Sequence, residues 1–172
     1  MENNLKKETE TLNLEIGDLV VYPTYGVGQI EEFDTHHIEG IDHNFVLINF
    51  KQDKMKLRIP MEKTANSGLR KLSNKNRLSK ALEILKEPPN QKKDMWIKRA
   101  KEYEKNINSG DPAMIAEVVR DLHKNDDSLE QQSYSERQIY LTALNRLSNE
   151  YAAVQNLDKK VSKKKLEEIL NS

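Results

Sequence analysis

Apolar and polar residues alternate with a period of two along residues 16–72, which is the spacing of β-strands. Short runs rich in β-branched and aromatic residues recur there, and Gly, Pro and Asp turn signals separate them. The predicted strands cover residues 19–22, 27–38, 45–50, 55–60 and 68–72. Several short strands joined by tight turns predict a small, strongly bent antiparallel sheet or barrel.

The alternation is clearest over residues 55–60. Met55, Leu57 and Ile59 occupy one face of this strand, and Lys56 and Arg58 occupy the other. Because successive side chains of a strand point to opposite sides of the sheet, one face is buried and the other is cationic. From the pattern alone, Arg58 is either an ordinary solvated charge or a contact to an acidic surface.

From residue 74 onward the apolar spacing becomes helical and predicts five helices joined by short loops. The second helix opens near Trp96 with Asp94 as a fair N-cap, and Asp111-Pro112 fits the N-cap and first position of the third. Ser133 with Glu136 fits a capping box before the longest helix, and the last helix spans about residues 162–170. The fold class is therefore α+β, with a small antiparallel β domain followed by an all-α bundle.

Three regions follow from this change of period: a disordered lead over residues 1–15, a β domain over 16–72 and a helical domain over 73–172. The boundary coincides with a change in charge, which a formal net charge of zero conceals. Residues 1–72 carry nine Lys and Arg against twelve Asp and Glu, whereas residues 73–172 carry nineteen against sixteen. The helical domain therefore presents a cationic patch in an uncharged chain. We expect the two domains to be separable.

The composition excludes several classes of protein. No apolar run approaches the ~18 residues of a membrane span, and the polar, acidic N-terminus has no apolar signal-peptide core. The chain has no cysteine, so it has no disulfide framework and no thiolate metal site. These features predict a cytoplasmic protein.

The densest cationic stretch surrounds Trp96, the only tryptophan. Five basic residues flank it within five positions: Lys92, Lys93, Lys98, Arg99 and Lys101. A large apolar ring among cations suits a phosphate-rich partner. The pattern alone favours a place for Trp96 in the core stripe with Tyr103 and Ile107, because tryptophan is highly buried on average. Basic runs are also commonly plain solvated faces.

Catalytic and metal chemistry find no support. His36, His37, Asp42 and His43 lie close in sequence but lack a recognised ligand spacing. Paired carboxylates fall on predicted surface segments, and neither a phosphate loop nor a nucleophile arrangement can be inferred. We therefore predict no metal, no cofactor, no small-molecule substrate and no enzymatic activity.

The chain resembles the CarD/CdnL family of bacterial transcription regulators. Four segments in family order, over about residues 16–155, carry the resemblance: Gly17-Asp18-Leu19-Val20-Val21-Tyr22-Pro23 with Gly26; Leu57-Arg58-Ile59-Pro60; Trp96-Ile97-Lys98-Arg99; and Ser109-Gly110-Asp111 with Ala116-Glu117-Val118-Val119-Arg120-Asp121-Leu122. The first segment is shared with a domain of transcription-repair coupling factors. The last two segments are not expected in those factors, so the joint match is specific.

The resemblance implies an N-terminal Tudor-like domain that binds the β subunit of RNA polymerase. We expect Arg58, His36, Lys56 and Pro60 at that contact. It also implies that the helical domain binds promoter DNA at the upstream edge of the transcription bubble. The residues expected at DNA are Trp96, as a minor-groove wedge, with Lys92, Lys93, Lys98, Arg99, Lys101 and Arg137.

Two residues depart from the family pattern. His36 stands where some members have an arginine that contacts polymerase, and Ala100 replaces a larger aromatic residue. The pattern also leaves open that Arg137 is an ordinary solvated helix charge.

A different class of function stays possible, namely an adaptor whose helical domain docks another protein with Trp96 as a hot spot. The basic flank of Trp96 favours DNA over that adaptor.

Overall fold

The N-terminal half of the chain folds into one five-stranded antiparallel sheet, whose inward-facing apolar residues form its core. The structure is a computed structural model that describes residues 12–90 and 92–172, without the side chain of Asp126. The strand order is β4-β3-β2-β1-β5. The strands are β1 (Leu19–Tyr22), β2 (Gly26–Ile38), β3 (Ile41–Phe50), β4 (Met55–Pro60) and β5 (Arg70–Lys71).

The sheet buries one face around a cluster that includes Val46, Ile48 and Phe50. The long β2–β3 hairpin turns through Glu39 and Gly40, both of which have positive φ, as tight two-residue hairpin turns require. The predicted lead of residues 1–15 lies outside the described residues up to residue 11. Beyond it, Leu12 and Leu14 pack against the sheet core.

Five helices follow the sheet, as the apolar spacing predicts, and the α+β fold class is confirmed. Asp158 caps the last helix by accepting a hydrogen bond from the Lys160 amide, so this helix begins earlier than the predicted residue 162. The helices are α1 (Lys75–Lys86), α2 (Trp96–Asn108), α3 (Pro112–Leu122), α4 (Tyr134–Gln155) and α5 (Lys159–Leu170). Among the described residues, none of these helices has both the length and the apolar character that crossing a bilayer requires.

A buried ion pair joins the sheet to the bundle. Arg70 of β5 donates two hydrogen bonds to the carboxylate of Glu150 in α4, at 2.7 and 2.9 Å. The same carboxylate accepts from the Ser73 amide at 2.9 Å, and Arg70 also donates to the Gly110 carbonyl at 2.7 Å. Burial alone would raise the pKa of Glu150, but the hydrogen bonds and charge of Arg70 and the bonds from Ser73 hold it below its ordinary value.

A second polar contact lies beside this pair. Arg146 of α4 donates to the backbone carbonyls of Pro23 and Thr24 in the turn after β1, and burial lowers its pKa. Gly110 has φ +72°, and a Cβ there would lie 3.1 Å from the Cα of Pro23. The turn therefore packs directly on the start of α3. Independent folding of residues 1–72 and 73–172 stays a prediction, and separating them would leave Glu150 without the two hydrogen bonds from Arg70.

These contacts set the direction of the helices. The segment after α2 reaches the sheet at Gly110, and α4 reaches it at Arg146 and Glu150. Both helices therefore run away from the sheet towards their N-termini. At 1.5 Å per residue, Trp96 lies about 18 Å along the axis from Asn108, the last residue of α2. Tyr134 lies about 18 Å from Arg146 and about 24 Å from Glu150 along α4. We call this far end of the bundle the distal end.

We predict that Glu150→Gln lowers the free energy of unfolding by up to about 3 kcal/mol in urea denaturation, because it leaves the partly buried Arg70 guanidinium without a counter-charge. Because the pKa of Glu150 is lower folded than unfolded, its contribution is present above the ordinary glutamate pKa. It is lost as the pH falls through the folded pKa, and the variant should lack this acid-dependent loss. Glu83→Gln, at an exposed ion pair with Lys86, is the matched control and should change stability by less than about 0.5 kcal/mol. Equal effects of the two changes would refute a structural role for the buried pair.

Candidate functional site

The outward face of β2, β3 and β4 brings together the four residues expected at a protein partner. Lys56, Arg58 and Pro60 alternate with the inward residues of β4 and pair across the ladder with Asn49, Leu47 and Phe45 of β3. His36 of β2 reaches the same face, where its ring meets the edge of Phe45 at 5.3 Å between centroids. We call this surface the outer sheet face.

The cations of the outer sheet face already have acidic neighbours. The carboxylate of Asp34 lies 2.7 Å from Nε2 of His36 and 3.5 Å from a guanidinium nitrogen of Arg58. Lys56 pairs with Glu31 at 2.7 Å. These pairs are solvent-accessible, so each contributes little to stability. These pairs hold the charged side chains in place beside the rings of His36 and Phe45.

At the distal end, Trp96 is the first residue of α2 and is partly buried. Its ring packs against the bundle core and lies 6.4 Å from the ring of the buried Tyr103, measured between centroids. The guanidinium of Arg99 lies 5.5 Å from the Trp96 ring centre and 5.9 Å from that of Tyr103. The core and surface interpretations of Trp96 are therefore compatible, because one part of the ring is packed and the rest is accessible.

The neighbours of Trp96 make the surface around it apolar as well as cationic. Met95 is 78% exposed and Ile97 is 67% exposed. Asp94 is not the N-cap, contrary to the sequence pattern. Met95 holds that position without a side-chain hydrogen bond, and Asp94 instead pairs with Lys98 at 3.3 Å. The first amides of α2 therefore have no side-chain cap among the described residues, which leaves them available to an anion.

The five basic residues around Trp96 differ in whether their charge is exposed to solvent or paired within the protein. Lys92 forms contacts inside the protein: its ammonium pairs with Glu102 at 2.7 Å and lies 5.2 Å from the Tyr103 ring centre. Burial lowers its pKa, but the bond and the charge of Glu102 more than offset this, so the pKa of Lys92 is raised. Lys93 and Lys101 are exposed. The structure thus separates one structural lysine from exposed cations that the sequence grouped together.

Arg137 lies one turn into α4 and stacks over the ring of Tyr140 at 5.6 Å. It lines an open polar pocket of about 660 Å³ with His123, Lys124 and Lys163. The Tyr140 hydroxyl lies 3.0 Å from Nδ1 of His123, and burial, with the nearby charge of Glu167, raises the pKa of Tyr140 to about 12. The hydroxyl therefore stays protonated near neutral pH.

Several residues of these surfaces have no distinct sequence signal. Asp34, which pairs with both His36 and Arg58, looked like one of many acidic strand residues. Met95 and Ile97 flank Trp96 in the sequence, but their exposure depends on how α2 packs. Tyr134 lies inside the capping box formed by Ser133 and Glu136, and it is 81% exposed. An apolar side chain directly before or after a capped helix start is the one cue that could have singled out Tyr134.

Comparisons with known proteins match both parts of the chain. The family described as "CarD-like/TRCF RID domain" matches residues 14–73, and "CarD, C-terminal domain" matches residues 80–167. YdeB of Bacillus subtilis (strain 168), named as a transcription factor, is 29% identical over 108 residues, covering 63% of this chain and 71% of YdeB. The solution NMR structure of the 72-residue N-terminal domain of Myxococcus xanthus CarD is 33% identical, with a TM-score of 0.29. That match covers 34% of this chain and 77% of that domain.

We predict that Trp96→Ala lowers the free energy of unfolding by about 1–2 kcal/mol, less than the ~3–5 kcal/mol typical of a fully buried aromatic residue. The reason is that only part of the Trp96 ring packs against the core. Tyr103→Ala is the matched comparison, since Tyr103 is 1% exposed, and it should cost about 3–5 kcal/mol. Urea denaturation of the two variants measures the difference. A loss at Trp96 as large as that at Tyr103 would place Trp96 wholly in the core.

Proposed function

Since the chain belongs to the CarD family of transcription factors, we propose that it binds the β subunit of RNA polymerase and stabilises the open complex at promoter DNA. The outer sheet face is the polymerase contact, and the distal end meets DNA at the upstream edge of the bubble. The protein acts in the cytoplasm, at the nucleoid, through polymerase. No catalytic step is involved.

The observation that carries the proposal is the setting of Trp96. A partly exposed indole stands between the exposed side chains of Met95 and Ile97, at the end of the bundle remote from the sheet. Exposed apolar residues next to cations combine the two properties that a DNA wedge needs. The apolar ring occupies a distorted base step, and the cations offset the cost of that distortion through phosphate contacts.

The packing of the ring supports its use as a wedge. Tyr103 and Arg99 hold the indole from within the protein, so little side-chain freedom is lost when DNA binds. Lys93 and Lys101 supply positive charge close to it in the sequence, and Arg137 adds charge at the start of α4. The uncapped start of α2 adds free amides. Lys92 acts indirectly, because its bond to Glu102 braces the segment before α2. Phosphate contacts and one wedge cannot read the base pattern of the major groove, so we propose recognition of DNA shape.

At the outer sheet face, Arg58 donates to an acidic group of the polymerase. Arg58 is solvent-accessible, and its ion pair with Asp34 is long at 3.5 Å, so a better-placed carboxylate competes for its donors. Pro60 and Phe45 supply an apolar surface beside it, and His36 takes the place of a family arginine at its edge. Lys56, two positions before Arg58 on the same face of β4, contributes further charge.

Binding at two sites explains the expected effect on transcription. Attachment to polymerase raises the local concentration of the distal end near the bubble. The open complex is then stabilised by the difference in affinity of the protein for open and closed complexes. A protein that bound the open and closed complexes equally well would leave the equilibrium between them unchanged.

The adaptor alternative is favoured by one observation, the exposure of Met95 and Ile97, since exposed apolar patches also mark protein interfaces. Retention on heparin distinguishes the two functions. DNA binding requires retention that falls steeply with salt. A protein-docking surface predicts weak retention with little salt dependence.

We predict that Arg58→Glu weakens pull-down of the polymerase β subunit at least about tenfold, because it places like charges together at the contact. Arg58 lies on the exposed side of β4, so circular dichroism should stay unchanged. Lys71→Glu, on β5 at the opposite edge of the sheet, is the matched charge reversal and should bind normally. Normal binding by the Arg58 variant would refute its place in the interface.

We predict that Trp96→Ala shortens the lifetime of the open complex, while β-subunit pull-down remains normal. Loss of one aromatic–base contact costs about 1–3 kcal/mol, which corresponds to roughly five- to 150-fold. Trp96→Phe is the conservative control and should retain part of the lifetime. A Trp96→Ala protein that stays folded at the assay temperature and still gives wild-type lifetimes would contradict the wedge.

A further inference from the structure

We propose that Tyr134 is a second aromatic contact to promoter DNA, next to the cationic pocket lined by Lys124, Arg137 and Lys163. This inference rests on the proposed function of the distal end and extends the DNA surface from α2 to α4. The ring of Tyr134 packs on a deoxyribose or an unstacked base, and its hydroxyl donates to a phosphate oxygen.

The first observation is the exposure of Tyr134. It is the first residue of α4 and is 81% exposed, the highest value among the large hydrophobic residues that the structure leaves exposed. The backbone at the start of α4 is fixed, because Ser133 caps the helix by accepting a hydrogen bond from the Glu136 amide. A phenol ring that is so exposed adds little to core packing and is available for contact with a partner.

The second observation is that α4 starts as α2 does. Each helix begins with an aromatic residue followed by an arginine three positions later: Trp96 with Arg99, and Tyr134 with Arg137. Arg99 stacks on Trp96, whereas Arg137 stacks on Tyr140. Within the part of the chain that the structure describes, the Tyr134 ring therefore has no stacking partner.

The third observation is the charge beside α4. The pocket of about 660 Å³ has Lys124, Arg137 and Lys163 in its lining, against the carboxylates of Asp127 and Glu167. The cations thus outnumber the carboxylates by three to two, and the Tyr140 hydroxyl adds a neutral group. An aromatic side chain next to a net positive, polar surface matches the sugar–phosphate edge of a nucleic acid better than it matches an apolar protein groove.

The fourth observation is continuity with the surface around Trp96. The segment before α2 is tied to the end of α3, because the Asn90 amide donates to the Asp121 carboxylate at 2.9 Å. His123, two residues after Asp121, lines the same pocket as Arg137. The end of α3 therefore connects the start of α2 to the start of α4. In the proposed complex, one DNA segment extends from Trp96 across the end of α3 to Tyr134.

The experiment compares Tyr134→Ala with Tyr134→Phe and Ser135→Ala in the full-length chain. Open-complex lifetime on one promoter fragment with purified polymerase is the main readout, and Trp96→Ala is the reference. We expect Tyr134→Ala to shorten the lifetime by about fivefold or more, the lower end of the effect of losing one aromatic–base contact. Tyr134→Phe should keep most of the lifetime, and Ser135→Ala should behave as wild type. Thermal melting should be unchanged for all three, because the altered side chains are exposed.

A second readout tests the cationic pocket. Lys124→Gln should make the lifetime less dependent on salt concentration, because one phosphate contact is lost. Glu130→Gln, an exposed acidic change nearby in the sequence, is the control and should leave the salt dependence no shallower than wild type.

The outcomes separate the inference from the function beneath it. A wild-type lifetime for Tyr134→Ala, with a shortened lifetime for Trp96→Ala, overturns the second contact and leaves the wedge standing. Wild-type lifetimes for both variants overturn the proposed function itself. Weaker pull-down of polymerase by Tyr134→Ala, in the absence of DNA, would assign Tyr134 to a protein contact and also overturn the inference.

Discussion

The arrangement of this protein depends on one buried carboxylate, that of Glu150. Removing a charged group from water is costly, and three donors offset that cost here: two from Arg70 and one from the Ser73 amide. The partners come from the last strand and from the segment that leads into α1, whereas Glu150 belongs to α4. Because hydrogen bonds to a charged group are directional, this contact sets an orientation between sheet and bundle that apolar packing would leave less defined.

A fixed orientation gives the two surfaces a defined relation. Helix α4 is 22 residues long, about 33 Å, and it is held to the sheet through Arg146 and Glu150 near its C-terminal half. Its other end carries Tyr134 and Arg137, two of the residues proposed to meet DNA. If the outer sheet face binds polymerase as proposed, the distal end is presented at one place. A loose joint would spread that end over many positions and lower its effective concentration at the bubble.

Period and capping predicted the elements well, because they are local properties. The alternation of Lys56 and Arg58 placed both residues on the open face of β4, and Asp111 and Ser133 cap the helices they were expected to cap. Contacts between residues far apart in the sequence produce no local pattern from which they could be predicted. Arg70 and Glu150 are 80 residues apart, and nothing in either segment indicates the other. The Asp94 cap was wrong for a related reason, since its carboxylate pairs with Lys98 instead.

The packing of Trp96 against the core and the wedge role proposed for it depend on each other. A wedge that moved freely would lose side-chain entropy when DNA held it, and that loss would weaken binding. Packing against Tyr103 and stacking with Arg99 remove that freedom beforehand. Nε of Arg99 is buried without a hydrogen-bond partner among the described residues, a cost of about 1–3 kcal/mol for an unsatisfied polar group. The same guanidinium lies against both aromatic rings, 5.5 Å from the centre of Trp96 and 5.9 Å from that of Tyr103. These cation–π contacts offset part of the cost and help to hold the indole in position.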